Sequence, residues 1–60
     1  MNIPQDPMML YSYINMKLRD EYASLDELCE DLDLDRGGIE QTLRNAGFGY
    51  SEEHNKFFAL

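Results

Sequence analysis

One cysteine, two prolines, five bases and no long apolar run set the first limits on this sequence of 60 residues. A single cysteine cannot close an internal disulfide, so the fold has no disulfide framework and the expected compartment is the reducing cytoplasm. No apolar stretch approaches the roughly 20 residues of a membrane-spanning helix. Met1 to Leu10 has neither the basic start nor the apolar centre of a secretory leader. Against five bases stand twelve acids, a formal charge of −7. A chain this short buries only about 60 % of the surface that it exposes when unfolded, which argues against a two-domain enzyme with a substrate cleft. Residues 1–60 are therefore read as one small helical domain, expected to be a binding module. With 43 % apolar residues it collapses, unlike an acidic disordered tail.

Proline is also a signpost here. Asp6-Pro7 marks a helix start, because proline lacks the N–H that would be unpaired in the first turn and the aspartate caps the donors that remain. From Pro7 to about Glu21 nothing breaks a helix. Leu10, Ile14, Leu18 and Tyr22 recur every four residues with Tyr11 beside them, a core stripe. At 100° per residue, Met9, Tyr13 and Met16 gather on the opposite side. The first helix therefore has two apolar faces.

Ser24 and Glu27 have the spacing of a capping box, and Leu25, Leu28, Cys29 and Leu32 then repeat at i, i+3, i+4 and i+7, which predicts a short amphipathic helix. A third helix is expected after Asp35, carrying Ile39, Leu43 and Ala46 inward and ending at Gly47. Gly37 and Gly38 each weaken its first turn by about 1 kcal/mol relative to alanine, so a frayed start is expected. Beyond Gly47, Phe48 and Tyr50, then a polar stretch from Ser51 to Asn55, then Lys56-Phe57-Phe58-Ala59-Leu60 read as a hairpin of open register. Such a hairpin holds only if Phe48, Tyr50 and one of the two phenylalanines pack on the helices.

The resulting fold class is mainly α: a three-helix bundle whose second and third helices, joined by Asp33-Leu34-Asp35, match the apolar spacing of a helix-turn-helix, followed by a short C-terminal β-hairpin. This is a minimal winged-helix-like arrangement. Charge argues against a nucleic-acid role, since Asp20 to Asp35 holds eight acids and no base, where a DNA-bound first helix would cross phosphates. The alternative reading retains the third helix, where Arg36, Gln41 and Arg44, with Asn45, have the chemistry to read base edges. A solvated helix face is the plainer account of the same residues.

Other chemistries find little support. Asp31, Asp33 and Asp35 alternate like the first ligands of a calcium-binding loop, but Arg36 stands at the turn glycine and Thr42 at the bidentate glutamate. Cys29 falls on the apolar stripe and His54 in the hairpin loop, with no partner placed to activate either. Gly37-Gly38 lacks the lysine and serine of a phosphate loop. No catalytic constellation, metal site or cofactor is expected. Met9, Tyr13 and Met16, extended by Met8, remain as the candidate partner-binding stripe, because methionine makes adaptable contacts and tyrosine joins apolar area to a polar tip. A protein partner is expected there, a homodimer being the simplest, unless the hairpin covers the stripe.

Several segments together resemble a known family. They are Asp6-Pro7-Met8-Met9-Leu10, Ser12-Tyr13-Ile14-Asn15, Lys17-Leu18-Arg19-Asp20, Ser24-Leu25-Asp26-Glu27-Leu28-Cys29, and Gly47-Phe48 with Tyr50 and Asn55. The sequence is similar in these to the short bacterial proteins grouped as domain of unknown function 4250. The resemblance spans nearly the whole chain and implies a free-standing bacterial cytosolic protein, with no activity or site residues to transfer. It also draws attention to Arg19 and Asp20, expected to pair with the start of the second helix or with backbone at the junction. Asn15 and Arg19, one turn apart, are the alternative: a polar contact site beside the methionines.

Overall fold

Five elements follow one another in the computed structural model, which describes residues 3–60: α1 (Pro7–Asp20), α2 (Leu25–Leu32), α3 (Arg36–Asn45), β1 (Phe48–Ser51) and β2 (Lys56–Ala59). Each helix begins on a side-chain cap. The Asp6 carboxylate accepts the Met9 N–H at 3.2 Å, with Pro7 in the first turn as expected. Ser24 Oγ accepts the Glu27 N–H at 3.1 Å, but among the described residues the Glu27 carboxylate does not accept the Ser24 N–H, so only half of the capping box forms. Asp33, in the left-handed region at φ 56°, ends α2.

The start of α3 departs from expectation. Its first turn is intact from Arg36, because the Asp35 carboxylate folds over it and accepts the Gly38 N–H at 3.1 Å. A Cβ on residue 38 would sit 3.1 Å from that same carboxylate oxygen, so the glycine leaves room for the cap. Ala46 is a second correction: it lies at the C-cap and is exposed, one residue beyond the inward face formed by Ile39 and Leu43. Gly47 then turns the chain at φ +94°.

The three helical stripes close on one core of Leu10, Ile14, Leu18, Leu25, Leu28, Cys29, Ile39, Leu43 and Phe57. Phe57 is 1 % exposed and Phe58 39 %, which fixes the choice between the two phenylalanines. Strands β1 and β2 pair antiparallel with Tyr50 opposite Phe57 and Ser51 opposite Lys56, leaving residues 52–55 as the loop. Phe48 stacks on Tyr11 with ring centroids 4.1 Å apart. The architecture is thus three helices followed by a C-terminal antiparallel hairpin.

Polar contacts decide where that hairpin sits. Leu60 donates its N–H to the Gly47 carbonyl at 2.8 Å, and the alternation of antiparallel pairing then turns the N–H and C=O of Phe57 away from β1. Asn15 of α1 meets both groups, its Oδ1 accepting the Phe57 N–H at 2.7 Å and its Nδ2 donating to the Phe57 carbonyl at 3.0 Å. Asn55 adopts φ 52°, a conformation that asparagine tolerates, and its Nδ2 donates to the carbonyls of Leu18 and Tyr22 at 3.2 and 2.9 Å. Its Oδ1 accepts the Tyr50 hydroxyl at 2.7 Å, and that hydroxyl oxygen accepts the Leu25 N–H at 3.2 Å. The hairpin is thereby tied to the end of α1 and the start of α2.

Asn15→Ala removes both bonds to Phe57 and leaves partly buried backbone groups unpaired, a loss of about 1–3 kcal/mol. Urea unfolding monitored by circular dichroism checks this, with Ser12→Ala on an exposed neighbouring position as the control, expected to change stability by less than about 0.5 kcal/mol.

Candidate interaction surface

Burial of Leu10, Ile14 and Leu18 against the core turns the other side of α1 to solvent. Met9 is 63 % exposed, Met16 43 % and Met8 60 %. Tyr13 differs from its neighbours: it is half-buried, packs against the core and has Lys17 Nζ 5.7 Å from its ring centroid. The hairpin leaves these methionines uncovered and takes the adjacent flank, where Asn15 meets β2. Between that flank and the hairpin runs a groove of about 740 Å³, lined among others by Tyr11, Met16, Arg19, His54 and Lys56.

The polar residues of α1 have different tasks from those expected. Arg19 forms a two-pronged pair with its neighbour Asp20, at 2.8 and 2.9 Å, and does not reach α2. That pairing holds the Asp20 carboxyl below the usual carboxylate range and raises the Arg19 guanidinium. Asn15 is committed to Phe57 and so is no free contact group. Lys17 pairs with Glu21 one turn on, at 2.8 Å. The aspartates of the α2–α3 junction are dispersed among structural positions, with Asp33 ending α2, Asp35 capping α3 and Asp31 accepting the Tyr22 hydroxyl at 2.5 Å. Cys29 is buried, and that burial pushes its thiol up.

The residues named for base reading are largely engaged within the chain. Arg36 pairs with Asp26 at 2.7 Å, Glu40 at 2.9 Å and Glu52 at 3.5 Å, and lies 5.4 Å from the Tyr50 ring centroid. Its hydrogen bonds to Asp26 and Glu40 raise its already high pKa further. Gln41 donates to Asn45 at 3.0 Å. Arg44 is exposed and has no ion pair among the described residues. Sequence reasoning missed this Arg36 junction and the Tyr50–Asn55 pair. The first carried only a faint signal, Glu40 one turn after Arg36; the second carried an asparagine in a turn-forming stretch.

The family model described as Domain of unknown function (DUF4250) matches residues 4–57. The chain belongs to this family. The DUF4250 match runs from the segment before α1 to Phe57, the residue that Asn15 clamps. Comparisons with curated proteins and with solved structures find no match. No helix of the described residues is long and apolar enough to cross a membrane.

Tyr22 gives the surface a pH signature. Its hydrogen bond to the Asp31 carboxylate, helped by partial burial, stabilises the neutral phenol and pushes the pKa from 10.0 to about 12. A folded-state pKa above the unfolded one means that the contact supports the fold fully below pH ~10 and is lost as pH rises toward ~12. Tyrosinate absorbance during alkaline titration therefore contains a step near pH 12 that disappears in Tyr22→Phe and falls in Asp31→Asn.

Proposed function

We propose that this DUF4250 protein is a small, non-catalytic protein-interaction domain of the cytoplasm that associates with a second copy of itself through the outer face of α1. The observation that carries the reading is the pair of apolar sides on one helix: one is in the core and the other, with Met8, Met9 and Met16, is largely in solvent. Exposed methionines in the first turn of α1 and two turns further on form an adaptable surface whose burial against a partner is favourable. A core of nine buried hydrophobic side chains among the described residues also gains from association, which small domains commonly use to complete their cores. Tyr13, half in the core, anchors the stripe to the fold, with Met9 and Met16 reaching outward.

The acidic run and the engagement of Arg36 with three carboxylates support protein contact over phosphate contact, since each cation so engaged is one fewer for a polyanion. The lone buried cysteine fits a reducing compartment.

Sedimentation and light scattering across a concentration series test the reading, using wild type and a Met8→Glu, Met9→Glu variant. Wild type is expected to pass from monomer to dimer as concentration rises. The variant, with carboxylates where apolar contacts form, is expected to associate at least about tenfold more weakly, a loss of ~1.4 kcal/mol, with unchanged circular dichroism. A wild type that stays monomeric throughout, or a variant that associates equally well, refutes it.

A further inference from the structure

Charge is segregated on this molecule in a way that its total conceals. Twelve acids outnumber five bases, yet among the described residues no aspartate or glutamate lines the groove between α1 and the hairpin, whose lining includes Arg19, His54 and Lys56 with Tyr11 and Met16. Asp20 and Glu53 touch Arg19 and His54 from outside the groove, while Lys56 has no acidic partner among the described residues. A second concavity, of about 340 Å³, has the opposite character: it is lined by Glu27, Glu30 and Asp31 of α2 and by no base. Glu27 and Glu30 are three residues apart, so their carboxylates share one helix face, roughly 5–6 Å apart at Cβ.

We propose that the groove is a docking site for the acidic face of α2 of a second copy, with Glu27 and Glu30 meeting Lys56 and Arg19. The inference rests on the self-association argued above and assigns it a second, polar contact. Complementarity supports this choice of occupant, because one chain carries both halves of the pair. A two-fold axis then forms the contact twice, groove to face and face to groove. Two chains of charge −7 repel at long range, but salt at physiological strength screens charges beyond about 8 Å and leaves close opposite pairs in place.

Complementary charge reversal tests it. One variant carries Arg19→Glu with Lys56→Glu, net charge −11, four below −7; the other carries Glu27→Lys with Glu30→Lys, net charge −3, four above. Each spoils one half of the contact and keeps the other. Each alone is expected to associate at least tenfold more weakly than wild type by sedimentation, and an equimolar mixture, in which each pair has one wild-type contact and one with both charges reversed, is expected to recover association. Net charge alone predicts the reverse for the second variant, which repels itself less than wild type does.

Lys56→Glu and Glu30→Lys as single changes, checked by circular dichroism, cover any loss of folding in the doubles and are expected to weaken association in the same direction. Association of either double variant at wild-type strength overturns the proposal, as does a mixture that stays monomeric. If Met8→Glu with Met9→Glu abolishes association while the charge variants behave as wild type, the reading of the α1 face stands and this contact falls.

Discussion

The hairpin cannot stand without the helices, and the helices lack a floor without the hairpin. Two strands of four residues are too short to persist alone in water. Their place in the fold depends on Phe57, which enters the helical core, and on backbone groups around it that must find partners once water is excluded. Side chains supply those partners. Asn15 serves the strand, Asn55 serves the carbonyls of Leu18 in α1 and Tyr22 just beyond it, and the Tyr50 hydroxyl serves the first turn of α2. One turn residue in the left-handed region, Asn55, thus joins the hairpin to the carbonyls of Leu18 and Tyr22, 37 and 33 positions away in the sequence.

Arg36 is the corresponding electrostatic junction. In a chain rich in carboxylates it sits where α2, α3 and the hairpin loop converge, with Asp26, Glu40 and Glu52 around it and the Tyr50 ring beside it. Exposed ion pairs of this kind each contribute about 0 to 1 kcal/mol, so the arrangement matters mainly for orientation. It places the acidic face of α2 and the cation-bearing groove in fixed positions on one small body.

Most of the architecture was legible in the sequence because it rests on local rules. Asp6-Pro7, Ser24 and Asp35 announced helix starts, Gly47 a helix end, and the spacing of leucines the buried faces. The Asp33-Leu34-Asp35 connection was read correctly for the same reason, whereas the sequence leaves the hairpin register open and Ser51, the first residue of its polar stretch, belongs to β1. Contacts between distant residues were not legible. Nothing near Asn15 in sequence says that its amide meets Phe57, 42 positions away. Gly38 looked like a weak point on helix propensity alone, whereas its missing side chain makes room for the cap that holds the turn. Ala46 matched the helical period but fell at the terminus, where the chain has already turned. The sequence leaves open whether the hairpin covers the candidate stripe; Met9 and Met16 lie in solvent, while Tyr13 shares its surface with the core because a large ring at the edge of a helix face reaches both. The residues that carried the family resemblance include Asn15, Tyr50 and Asn55, which turn out to hold the hairpin.

The Asn15 amide has a bearing on solubility as well. A strand at the margin of a sheet offers donors and acceptors to any passing extended chain, and β2, with Phe57 and Phe58 side by side, is the kind of segment that seeds fibrous aggregates. By filling the hydrogen-bonding positions of Phe57 with a side chain from a helix, the protein places a stopper where a third strand would begin to zip on. Two amide atoms thereby keep the hairpin a two-stranded unit.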